Sequence, residues 1–271
     1  MVAPATRPTR RALSRFAAFA ALAAPLPALA QDDAEQPVRT RIALGPQLLP
    51  AYPGADDFKL RPLIDVARAR GDEPFEFEAA DESFGFPVLE AGRLAIGPVL
   101  NFEGSRTPAK VGAAVPKVGF SLEAGGFAEY QLSDSLRLRG ELRQALSGHD
   151  GLVGTFGGDY VMRDRDNWLV SIGPRVSWGS NRFHDAYFSV TPADAVATGL
   201  PVYDAGSGIH AVGAAAGYVV QVTPRWGLYS FAKYERLVGD AARSPIVLQH
   251  GSRNQFSGGA SLTYTFGRGV R

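Results

Sequence analysis

Four histidines, His149, His184, His210 and His250, are the side chains best suited to moving a proton near neutral pH, and two of them stand in His-Asp dipeptides, His149-Asp150 and His184-Asp185. A histidine beside a carboxylate is the raw material of general acid–base hydrolysis. The rest of such a site is not legible. No segment reads as a nucleophile elbow, a metal-binding helix or a phosphate loop, the histidines lack metal-ligand spacing, and the chain has no cysteine. The sequence therefore assigns no catalytic residue, no cofactor and no metal. Polar loops collect His and Asp anyway, and that is the weightier reading of both dipeptides. Tyr187, Phe188 and Tyr203 read in the same way, first as loop packing and second as a contact surface or lid.

Charge is nearly balanced, 28 Lys+Arg against 27 Asp+Glu in 271 residues, so the basic footprint of a nucleic-acid binder is absent. Residues 1–15 hold Arg7, Arg10, Arg11 and Arg15 and no acid, residues 16–29 are an Ala/Leu/Phe/Pro run, and Ala28-Leu29-Ala30 is a small-x-small cleavage site before Gln31. This pattern predicts a cleaved secretory signal peptide over 1–30; the apolar run is too short for a transmembrane anchor. Removing its four arginines leaves 24 Lys+Arg against 27 Asp+Glu, a mildly acidic mature chain of one domain over 31–271. No later segment is an apolar run of about 18 residues, so no membrane-spanning helix is expected. Gly is abundant, 31 residues in all, which argues against a helical protein.

From about residue 92 the chain becomes a series of segments with apolar and polar residues alternating, separated by turn-rich breaks, the signature of strands. Leu136, Leu138, Gly140 and Leu142 share one face opposite Arg137, Arg139, Glu141 and Arg143. Trp168, Val170, Ile172, Pro174, Val176 and Trp178 form another face, and Phe256, Gly258, Ala260, Leu262, Tyr264 and Phe266 a third. These strands are longer than the roughly 5–6 residues usual in soluble sheets. Trp168 and Trp178 lie ten residues apart on one face, about 33 Å along a strand; a tilt of about 45° reduces this to about 23 Å, close to the ~25 Å apolar band of an outer-membrane barrel. Trp168, Trp178, Trp226, Tyr264 and Phe266 are thus candidates for its aromatic girdles.

An Arg or Lys facing lipid at the midplane costs about 2–4 kcal/mol, so Arg137, Arg139, Glu141 and Arg143 must face the lumen. The same alternation turns Arg93, Glu103, Glu123, Glu129, Asp159 and Arg175 inward. Mixed signs allow pairing, so the lumen is expected to be plugged by salt bridges more than open as a pore. The fold class is all-β: an antiparallel transmembrane outer-membrane β-barrel of about twelve strands, with segments 38–46, 58–69, 73–80 and 84–90 as the first four. Ten strands is the fallback, because the 73–90 pair is short for spanning. Breaks at 131–135, 163–167 and 222–225 are short and those at 104–116, 180–207 and 239–253 long, which places the short ones in the periplasm. A Gly-Pro pair recurs at Gly45-Pro46, Gly97-Pro98 and Gly173-Pro174 and implies a bulge or kink in the wall. A closed barrel has no free strand edge, so a monomer is expected.

Four segments in order, Leu49-Pro50-Ala51-Tyr52-Pro53-Gly54-Ala55-Asp56-Asp57-Phe58 with Arg61-Pro62, Leu94-Ala95-Ile96-Gly97-Pro98-Val99-Leu100, Val190–Ala195 followed by Gly199-Leu200-Pro201-Val202-Tyr203, and Gly239–Val247, resemble the MipA/OmpV family of outer-membrane proteins over essentially the whole mature chain. The resemblance implies a barrel in the outer membrane of a Gram-negative-type envelope, in contact with its lipid. It also implies a non-enzymatic scaffold for murein-remodelling proteins, a lytic transglycosylase and a penicillin-binding protein, since the family's namesake links two such enzymes; other members are described as adhesins or linked to antimicrobial response. The family supplies no catalytic residues to carry over. A small-solute pore, or a surface adhesin or rim hydrolase using the outer loops, are the alternatives. One departure is the tail: Phe266 is followed by Gly267-Arg268-Gly269-Val270-Arg271, where such strands commonly finish at a terminal aromatic.

Overall fold

The computed structural model describes residues 36–267, so the leader expected over 1–30 lies outside the described residues. The described residues from Pro37 onward form one compact unit. Its described residues form a curled antiparallel sheet of twelve strands: β1 (Val38–Pro50), β2 (Phe58–Arg70), β3 (Phe84–Gly85), β4 (Leu89–Ala91), β5 (Leu94–Glu103), β6 (Ser121–Ser133), β7 (Leu136–Ala145), β8 (Leu152–Asp164), β9 (Trp168–Gly179), β10 (Gly208–Gln221), β11 (Trp226–Leu237) and β12 (Asn254–Phe266). Five short helices sit in the long loops: α1 (Pro108–Val111), α2 (Asn181–Tyr187), α3 (Pro192–Thr198), α4 (Gly239–Arg243) and α5 (Pro245–His250). No helix among the described residues is long and apolar enough to cross a membrane.

The order is β2-β1-β12-β11-β10-β9-β8-β7-β6-β5-β3, with β4 also on β5. β1 with β2, and each successive pair from β4 to β12, form hairpins, and the sheet curls because the first and last strands meet, Thr40 opposite Phe266 and Leu44 opposite Leu262. No ladder joins β2 to β3 among the described residues, so the closure assumed in expecting a monomer is incomplete along this seam. At the long-loop end the seam is tied by the Lys59–Glu103 ion pair at 2.6 Å and by Arg61, which donates to the Phe102 carbonyl at 3.1 Å.

Ten of the twelve strands are long, 10 to 14 residues each. Two early segments depart from expectation. Residues 73–80 are no wall strand; they rise inside the lumen. Phe75 and Phe77 alternate with Glu76 and Glu78 as a strand would, but 71–83 carries six acids and no base, and the basic lumen wall draws it inward. Residues 84–90 return along β5 only as the fragments β3 and β4, since Pro87 between them has no N–H to give a ladder.

The Gly45-Pro46 and Gly173-Pro174 pairs interrupt strand pairing without register shifts. On β8 and β9, Gly157 faces Arg175 and Tyr160 faces Ile172 in one register while the pairs between them lapse. Glycine is required there, because a methyl group at Gly173 would lie 1.6 Å from the Gly158 carbonyl oxygen; at Gly45 and Gly97 the corresponding distances are 2.0 Å and 1.9 Å. At Gly140 the nearest atom would be 3.6 Å away, an ordinary contact. Backbone cannot swing aside as a side chain can, so Gly173→Ala is expected to cost about 3 kcal/mol and Gly140→Ala almost nothing. Urea unfolding of the two variants in lipid vesicles checks this; equal midpoints would contradict it.

Candidate functional site: the charged lumen and its cap

The charged faces of β6 to β9 converge on the internal segment 71–83. Arg137, 2% exposed, is 2.9 Å from Asp159 and 3.1 Å from Glu129, and it also pairs with Glu82. The same guanidinium donates to the Phe77 carbonyl at 3.0 Å and lies 4.5 Å from that ring's centre. Arg139 reaches Glu141 at 3.0 Å and Glu129 at 3.3 Å, and Arg143 reaches Glu141 at 2.6 Å and Glu123 at 2.9 Å. Asp159, also 2% exposed, is shared between Arg137 and Arg175, the latter at 2.8 Å. Arg93 and Glu103 stand apart from this network: Arg93 is exposed at the short-turn end, donating to the Leu132 carbonyl, and Glu103 pairs with Lys59.

Sequence reasoning missed the acids that complete the network. Asp81 accepts Arg175 at 2.8 Å and Lys233 at 3.2 Å, and Lys233 also reaches Glu235 at 3.0 Å. Burial alone would raise the Asp81 carboxyl; Lys233 and Arg175 overcome it and hold the group below the usual carboxylate range. Nearer the short turns, Arg163 donates to the Phe75 carbonyl at 2.8 Å, Phe75 N–H donates to Asp166 at 2.9 Å, and Arg39 pairs with Asp166 at 2.9 Å. The available signal was the run of six acids without a base at 71–83.

Over the long-loop end the loops fold on one another around an apolar cluster. Tyr52 comes from the β1–β2 loop, Val111 and Val115 from β5–β6, Phe183, Tyr187 and Phe188 from β9–β10, and Ile246 and Val247 from β11–β12. Tyr187 and Phe188 are 0% exposed, so loop packing describes them, and Tyr203 joins by donating to the Asp240 carbonyl at 2.9 Å. Buried Arg106 stitches the layers, donating to the Tyr187 and Pro116 carbonyls at 3.0 and 2.9 Å. A capping box starts α3: the Thr191 hydroxyl accepts from Asp194 N–H at 3.2 Å while Asp194 accepts from Thr191 N–H at 3.1 Å.

The histidines gather here, but not as acid–base dyads. The carboxylate beside His149 is Glu123, 3.0 Å from Nε2, and Nδ1 accepts the Gly151 amide at 3.1 Å. With both nitrogens engaged, His149 has none left for a nucleophile. Neighbouring Asp150 forms no ion pair among the described residues, and Asp185 accepts the Ser189 hydroxyl instead. His184, 1% exposed, stands 5.6 Å from the His210 ring with both its nitrogens unpartnered among the described residues. His250 ends α5, half-buried.

The aromatic residues are on the outward face. Trp168, Trp226, Tyr264 and Phe266 stand at the short-turn end, with Tyr264 4.7 Å from Trp226 and 4.6 Å from Phe266 by ring centres. Trp178 lies at the other end of β9 on the same face as Trp168.

Burial holds the His184 imidazole below its ordinary value of 6.5. A loop released from the cap titrates nearer that value, so opening takes up a proton as pH falls. The cap therefore has its full stability above about 6.5 and loses it below. Hydrogen exchange of the α2 amides, corrected for the intrinsic effect of pH, is expected to accelerate as pH is lowered from about 7 to about 5, and His184→Phe should weaken that dependence, the remainder coming from His210 packed beside it. A flat profile in the unchanged protein would contradict this.

Residues 42–266 match the family model described as MltA-interacting protein MipA. No curated protein matches the chain. Similar solved structures include a bacterial polysaccharide outer membrane secretin, 9% identical with a TM-score of 0.40, covering 84% of this chain and 98% of its own. The NanC porin is 12% identical with a TM-score of 0.35 over 83% and 98%, and the outer membrane channel DcaP of Acinetobacter baumannii 7% identical with 0.34 over 85% and 96%. With the family match reaching from β1 to the end of β12, the chain belongs to the MltA-interacting protein MipA family.

Proposed function

We propose that this outer-membrane barrel is a non-enzymatic scaffold, held shut, whose short-turn, periplasmic side gathers murein-remodelling enzymes. One observation carries the reading: the lumen is occupied by the chain's own segment 71–83, cross-linked to β7, β9 and β11 through Asp81 and Glu82. With an apolar cap over the opposite mouth, a free solute path is disfavoured, and function moves to the surfaces. The engaged nitrogens of His149 weigh on the same side against a rim hydrolase. The choice of partner follows the family, which is named for interaction with MltA; a lytic transglycosylase and a penicillin-binding protein are the expected guests.

The available grip is compact. Asp166 in the β8–β9 turn binds Arg39, Arg163 and Phe75 N–H together, so the base of the internal segment and the adjacent turn form one rigid surface. The mature barrel, immobilised in detergent and exposed to a periplasmic and membrane extract, is expected to retain a lytic transglycosylase or a penicillin-binding protein above an unrelated barrel. Retention of neither would sink the scaffold.

A further inference from the structure

The internal segment does not fill the lumen. A cleft open to solvent separates Glu76–Asp81 from the inner faces of β1, β2, β9, β10 and β11. It exists because small residues face each other across it, Ala215 and Gly217 from β10, Ala79 and Ala80 from the internal segment.

Its lining is apolar on one side and acidic on the other. Phe77, Phe231, Leu169 and Val219 supply the apolar surface. Tyr229, 8% exposed, lines the cavity, and its hydroxyl makes no hydrogen bond among the described residues. Three carboxylates also border the space, Asp65, Glu76 and Glu78, and none has a cationic partner within 4.0 Å among the described residues. Asp81, by contrast, is satisfied by Arg175 and Lys233. The one other cation of the lining, Arg41, lies over the Phe75 ring at 4.6 Å with its Nε unpartnered. Three carboxylates thus face one guanidinium. Burial raises the Glu76 and Glu78 carboxyls; Glu90 and Glu129 push Glu76 the same way, while on Glu78 the push from Asp65 is opposed by Arg139 and Arg137 without reversing the net rise.

We propose that this cavity is a binding site for a compact organic cation with an apolar body, its ammonium among Asp65, Glu76 and Glu78 and its body against Phe77 and Phe231. A positive charge entering there replaces carboxylate repulsion with attraction, and the aromatic rings of Tyr229 and Phe231 favour a cation over a neutral molecule of the same shape. Anions meet the opposite field. The site goes beyond the scaffold reading and stands apart from it, since it lies within the lumen and involves none of the turns a protein partner would grip.

Benzyltrimethylammonium is the probe, with benzenesulfonate as an anion of similar size, and titration calorimetry on the mature barrel in lipid nanodiscs is the measurement. The cation is expected to bind saturably at one site, at least tenfold more weakly in the double variant Asp65→Asn, Glu78→Gln, with no binding of the sulfonate. In the unchanged protein the affinity should also fall as pH is lowered and the raised carboxyls of Glu76 and Glu78 take up protons, a readout that does not depend on the variant folding. Absent binding, binding indifferent to pH, equal binding in the double variant, or equal binding of benzenesulfonate would each overturn the proposal.

Discussion

An arginine on the lipid side of a barrel strand costs about 2–4 kcal/mol at the midplane, and a strand with a two-residue period avoids that cost by turning all its charges inward together. On β7 this sends Arg137, Arg139, Glu141 and Arg143 into the lumen and leaves Leu136, Leu138 and Leu142 outside. An interior then imposes the opposite demand, because one partner removed from a buried ion pair costs about 3–5 kcal/mol. The wall answers part of it with Glu123, Glu129 and Asp159. Segment 71–83 answers the rest, bringing Asp81 and Glu82 to Arg175, Lys233 and Arg137. The internal segment is thus a consequence of the same charge placement that makes the wall a barrel.

Closure at the two ends rests on different physics. The lumen is held by directional ion pairs and by carbonyls of the internal segment accepting from Arg137 and Arg163. The cap is held by apolar burial, with Phe183, Tyr187 and Phe188 at its centre and Arg106 anchoring carbonyls across the layers. Loops that long would otherwise be free to move, and packing them on one another removes that freedom. What remains accessible is the lipid-facing wall with its aromatic ends, the compact short-turn surface around Asp166, and the acidic cavity beside Glu76 and Glu78.

The wall was legible in the sequence because period two carries the whole signal. The burial of β7, β9 and β12 alternates with the same two-residue period, and at the Gly-Pro pairs neighbouring carbonyls press on Gly45, Gly97 and Gly173. Segment 73–80 misled for the same reason: Phe75-Glu76-Phe77-Glu78 alternates like a wall strand, and only its charge sign against the arginines opposite distinguishes it. The loop helices were illegible because helices of 4 to 7 residues are sustained by tertiary packing and not by propensity. Sequence neighbours were also poor guides to partners in space. His149 stands beside Asp150 in the chain, yet its carboxylate is Glu123 on a different strand.

The chain's own segment 71–83 occupies the lumen of this barrel, and ion flow reads directly whether that occupation shuts it. The folded mature protein inserted into a planar lipid bilayer is predicted to leave conductance at the level of the bare membrane across moderate voltages. Stable conductance steps from the unchanged protein would contradict a lumen held shut by the pairing of segment 71–83 with Arg137, Arg175 and Lys233.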